Sequence, residues 1–117
     1  MKVNNVEYGG QHNTGLTFTL DIGAVKGDAV TQTAAGTAGR GAADAAILGK
    51  LVTSESDSKG AVITRGVIVV PWTGAAVFGI QKIGVDGAGK AKVSATGKEA
   101  RVLGVDATAG LAAIDLG

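Results

Sequence analysis

The chain has 117 residues and no cysteine, so disulfides, thiol chemistry and thiolate metal sites are all excluded. Hydrophobic residues make up 45% of it but aromatics only 3%, and 20 glycines and 20 alanines mean that its core must be built from small and branched aliphatic side chains. Eleven basic and ten acidic residues, scattered to a net charge of +1, give no nucleic-acid or membrane surface, and no window approaches the roughly 18 apolar residues of a membrane helix.

The length predicts one domain. Small side chains gain little on burial, so this domain is expected to lean on subunit association. The lack of cysteine fits assembly in a reducing cytoplasm. The first segment, MKVNNVEYGGQHNTG, has no continuous apolar stretch of the signal-peptide kind.

Residues 1–15 read as an extended N-terminal arm, polar and rich in Asn and Gly, followed by a domain over 16–117. LTFTLDIG then alternates, with Leu16, Phe18, Leu20 and Ile22 on one face and Thr17, Thr19 and Asp21 on the other, which is a strand signature. KGDAVTQT, ILGKLV, AVITRGVIVV, AAVFGIQKIGV, KAKVSA, ARVLGV and GLAAIDLG follow as short β-like segments between glycine-bearing or polar connections. The expectation is an all-β fold, a small barrel or sandwich of about seven or eight short strands. GAADAAIL, residues 41–48, is alanine-rich and is read either as a short helix or as an irregular loop. ILGKLV and VLGVDA, each followed by a loop and another strand, match at Leu48–Gly49 and Leu103–Gly104 and suggest approximate internal symmetry.

The chemical motifs are incomplete. GVDGAGKA, residues 84–91, has the G-x-x-x-x-G-K of a phosphate-binding loop at Gly84, Gly89 and Lys90, but Ala91 stands where a hydroxyl is needed and a strand-like KAKVSA follows, so a glycine turn between strands is expected. GTAGRG, residues 36–41, has the wrong glycine order for a dinucleotide site and reads as a flexible surface loop. His12 is the only histidine and lies in the arm with no carboxylate set beside it by local spacing. Asp21, Asp28, Asp44, Asp57, Asp86, Asp106 and Asp115 sit mostly at turns, where Asp bonds its own backbone. SESDSKG, residues 54–60, alternates Glu55 and Asp57 but lacks the rest of a calcium loop, and the serines have no nucleophile-elbow context. No catalytic, cofactor or metal residue is assigned, and the chain is read as not an enzyme.

ITRGVIVVPWTG holds the longest apolar run and the only proline and tryptophan. In a strand, Val67 and Val69 face one way and Ile68 and Val70 the other, so both sides are apolar. The second side predicts a covering arm or loop, or a subunit interface made by Ile68, Val70, Pro71 and Trp72. A pocket in which Trp72 stacks on a sugar, as in a small carbohydrate- or ligand-binding β module, is the alternative.

In their order, KGDAV, ILGKLV, ITRGVIVV, DGAGK, VLGVDATAG and AAIDLG resemble the decoration, or cement, proteins that coat the heads of tailed bacteriophages, over roughly residues 23–117. The resemblance implies a structural virion protein, commonly a homotrimer, that docks on the outer capsid surface near local threefold positions and stabilises the head. It implies the major capsid protein as partner and the arm, with Val3, Val6, Tyr8 and His12, as the part laid against the shell.

Overall fold

The computed structural model describes residues 2–3, 6–7, 14–55 and 57–117. Every regular element among them is a strand: β1 (Lys2–Val3), β2 (Val6–Glu7), β3 (Thr14–Leu20), β4 (Ala29–Ala34), β5 (Thr37–Gly39), β6 (Gly49–Leu51), β7 (Lys59–Arg65), β8 (Val67–Pro71), β9 (Gly79–Val85), β10 (Ala91–Val93), β11 (Lys98–Asp106) and β12 (Leu111–Asp115). The fold is all-β as expected, with more and shorter strands than the seven or eight read from the sequence. The segment read as an arm contains the hairpin β1–β2, and β3 already begins at Thr14. Tyr8 and His12 lie outside the described residues.

A closed barrel runs β3-β5-β4-β6-β7, and a five-stranded sheet runs β10-β9-β11-β12-β8. GTAGRG is therefore not a flexible loop. Its Thr37–Gly39 forms β5, which closes the barrel through a parallel pairing with β3, and Ala38 is buried. Five small strands leave room inside for few side chains, and Leu20, Val30, Ala38, Leu51 and Val62 fill it. At Gly49 the β6 and β7 backbones come so close that a Cβ would clash with the Ile63 carbonyl oxygen. The two sequence half-motifs each open an antiparallel hairpin, β6–β7 in the barrel and β11–β12 in the sheet.

AVITRGVIVV is not one strand but two. Gly66, with φ +96°, adopts a backbone conformation that other residues resist, and there the chain leaves the barrel as β7 and enters the sheet as β8. Ile68 and Val70 then face a core shared with Ile83 and Val85 of β9, Ala100, Val102 and Val105 of β11, and Ala112 and Ile114 of β12. A bulge between Val102 and Gly104 resets the alternation, which lets Val102 and Val105 share one face. Beyond β8, Trp72 bridges Ala91 of β10 in parallel, and Thr73 N donates to the Ala91 carbonyl at 3.0 Å. The sheet thus curls round until its two outer strands meet, which protects edges that would otherwise be open.

The second apolar side of β8 is real. Val69 and Ala113 are buried on it beside Leu103 and Leu111. β1 approaches β11 and β12 of the sheet.

Residues 41–48 form no helix. Asp44 has φ +73°, Asp44 N donates to the Val85 carbonyl, Val85 N donates to the Ala45 carbonyl, and Ala46 bridges Gly84. An eight-residue helix has a costly nucleus, while the end of β9 offers backbone partners, and pairing with them also buries Ile47 in the sheet's core. A second tie joins barrel and sheet at Asp28. Its carboxylate accepts from Val25 N at 2.8 Å and from Arg40 Nε at 2.7 Å and lies against Gly89 in the β9–β10 turn, whose carbonyl takes the Ala29 N–H.

Candidate functional site

The strongest sequence candidate, Trp72, sits at the end of β8, where the bridge to β10 holds its backbone. Its indole N–H donates to the Ala75 carbonyl at 3.1 Å, folding residues 73–75 back over it, and the side chain is only 6% exposed. It forms one wall of a cleft of about 530 Å³ whose other walls include Thr73, Ala75, Val77, Gln81 and Val93. Ile68 at 2% and Val70 at 0% exposure lie deeper in the same core. The side chains expected at a subunit interface are therefore covered by their own chain, because the sheet curls around them. Pro71 alone of the four is partly exposed, opposite Leu111.

What faces solvent is different. Phe78, just beyond the loop that wraps Trp72, is 82% exposed, and Ile80 on β9 is 52% exposed. Gln81 Nε2 donates to the Phe78 carbonyl at 3.1 Å and steadies this corner. Val93, on β10, is 42% exposed at the rim of the cleft. On the barrel, Ile22 is fully exposed and Val25 is 55% exposed in the β3–β4 connection, and Leu16 is 52% exposed on β3. None of these side chains belongs to the buried clusters of the barrel or the sheet. Sequence alternation places Leu16, Phe18 and Leu20 on one face, but Leu20 is inside, Phe18 is half-buried and Leu16 lies out of the core. The strand reading of AAVFGIQKIGV includes Phe78, but β9 begins one residue later at Gly79 and leaves Phe78 in the preceding connection.

Charge beside the cleft is organised by one ion pair, Lys92 Nζ to Asp44 Oδ1 at 2.8 Å. Hydrogen bonding and charge from Lys92, aided by Ser94, hold the Asp44 carboxyl below its ordinary range. On the barrel, burial pushes Lys50 down, and neighbouring Lys26 adds to this. The turn aspartates bond backbone as expected: Asp86 Oδ1 accepts from Ala88 N and Lys90 N, Asp106 Oδ1 from Thr108 N and Ala109 N, and Asp57 Oδ1 from Lys59 N. GVDGAGKA is the turn of the β9–β10 hairpin. Among the described residues no group of three or more His, Asp or Glu is placed to hold a metal ion, and no helix is long and apolar enough to cross a membrane.

No family model, curated protein or solved structure matches the chain.

Proposed function

We propose that this protein is a structural decoration module that binds the outer surface of a tailed-phage capsid, with the major capsid protein as its partner, and stabilises the head as a trimer. The observation that carries the reading is the placement of its large apolar residues: Phe78, Ile80, Ile22 and Val25 stand outside the buried clusters of the closed barrel and the curled sheet. A rigid body with apolar corners suits docking on a repeating lattice, where many weak contacts act together. The order of segments in the sequence, which resembles the decoration family, supplies the capsid as the lattice.

Trp72 gives little support to a sugar-binding reading, since its indole N–H is already bonded and its ring is enclosed. The test is co-sedimentation of the purified protein with expanded heads built from its cognate major capsid protein, alongside its mass in solution. Saturable binding that raises the head's resistance to heat supports the reading. Lack of binding at any concentration, or binding without stabilisation, overturns it.

A further inference from the structure

The edge of β3 carries an inference that goes beyond capsid docking. Thr19 N donates to the Gly36 carbonyl on the β5 side, and Leu20 N donates to the Ser58 carbonyl on the β7 side, which fixes the alternation along the strand. Gly15 and Thr17 therefore point their N–H and C=O groups to the β5 side. β5 reaches only Thr19 and Leu20, whereas β7 continues along β3 to Thr14. Two donors and two acceptors are thus left open past the end of β5, with no partner among the described residues. The strand between Thr14 and Thr17 is exposed on both faces, and TGLTFTL contains neither the charge nor the proline with which proteins blunt an open edge.

We propose that this edge pairs antiparallel with the same edge of a second copy of the chain, with Leu16 opposite Leu16. The open groups are self-complementary in that register. Gly15 of one copy exchanges two hydrogen bonds with Thr17 of the other, and the twofold repeats the exchange, giving a continuous β7-β3-β3-β7 sheet. The two leucines then meet at a non-hydrogen-bonded position, where side chains come closest, and each loses its exposure to water. No like charges on the paired strands oppose the approach. Such a contact is small and its self-association weak in dilute solution, and it is able to link copies that a lattice already holds close.

The experiment uses the purified full chain without heads, so its outcome is separate from that of the capsid reading. Sedimentation over a wide concentration range is expected to show a doubling of mass, with the Gly15 and Thr17 amides gaining protection from hydrogen exchange as the doubling proceeds. Thr17→Pro removes an outward donor that β7 does not use and sets a ring on the edge, so the barrel keeps its ladder while the doubling weakens by about tenfold or more. Absence of doubling up to millimolar protein, or doubling during which these two amides stay unprotected, overturns the proposal. So does undiminished doubling in a folded Thr17→Pro variant. Should that variant fail to fold, amide exchange in the native chain still decides.

Discussion

The barrel and the curled sheet are both five-stranded, yet they bury very different interiors. The barrel encloses Leu20, Val30, Ala38, Leu51 and Val62, and one of its strands, β3, is open to solvent over most of its length. The sheet encloses a much larger cluster that includes Trp72, Ile83 and Ile114, borrows Ala29 of β4 and Ile47 of the β5–β6 connection from the barrel, and has a second small buried cluster on its outer side. Apolar burial scales with stability, so the sheet's larger cluster holds the molecule together more than the barrel's five side chains do. An equal number of strands does not make the two units alike. What matters is how many large side chains each unit encloses.

The comparison breaks first at Trp72. Trp72→Ala empties the largest side chain of the sheet's core, loosens the junction between β8 and β10, and is expected to cost about 3–5 kcal/mol, read from urea denaturation. A loss below about 1 kcal/mol would mean that the sheet does not depend on this closure. A smaller effect is expected at the tie between the units. Asp28→Ala strips the Arg40 guanidinium and the Val25 N–H of their acceptor, and because Arg40 is partly exposed the expected cost is about 1–3 kcal/mol. If barrel and sheet unfold as one body, hydrogen exchange in both should rise together in this variant. Exchange rising in the barrel alone would show that the sheet stands by itself.

Smaller still are the corners. Phe78→Ser and Ile22→Ser remove exposed side chains and should leave stability within about 0.5 kcal/mol, while each weakens binding to heads. Unchanged head binding in the double variant would remove these corners from the docking surface and leave the N-terminal segment to account for it.

How far these features were legible in the sequence depends on the range of the interactions that decide them. Alternation marks β3, and short apolar segments between glycine-bearing turns mark β9 and β11, because both signals are local. The two apolar sides of VIVV were also legible, since Ile68 and Val70 face inward and Val69 outward. That β8 and β10 would meet at Trp72 was not, because the bridge joins residues far apart in the chain. Composition favoured a helix at GAADAAIL, but an open end of β9 competes for the same backbone groups and is invisible until the sheet is assembled. Trp72 drew notice for its rarity, and rarity does not distinguish a surface anchor from a plug. The exposure of Phe78 is not written in the local pattern, since exposure, unlike periodicity, is a property of the finished fold.

The smallest expected effect tests whether the 41–48 segment actively clasps the two units. Asp44 lies on a connection between two barrel strands, and its partner Lys92 lies on β10 of the sheet. Lys92 lowers the folded-state pKa of Asp44, so as pH falls the unfolded chain takes up this proton before the folded one does. The stabilisation is thus present above the ordinary aspartate value and disappears as pH falls through the depressed one. Carbon-detected NMR titration should give Asp44 a midpoint below about 3.9, the ordinary value, and Lys92→Met should move it upward. That variant should also lose stability near neutral pH and change less on acidification than the native chain. The pair is exposed, and salt should shrink the difference. Identical midpoints in the two proteins would leave the Ser94 and Thr96 hydroxyls, both bonded to the Asp44 carbonyl, as the contacts that hold this segment on the sheet.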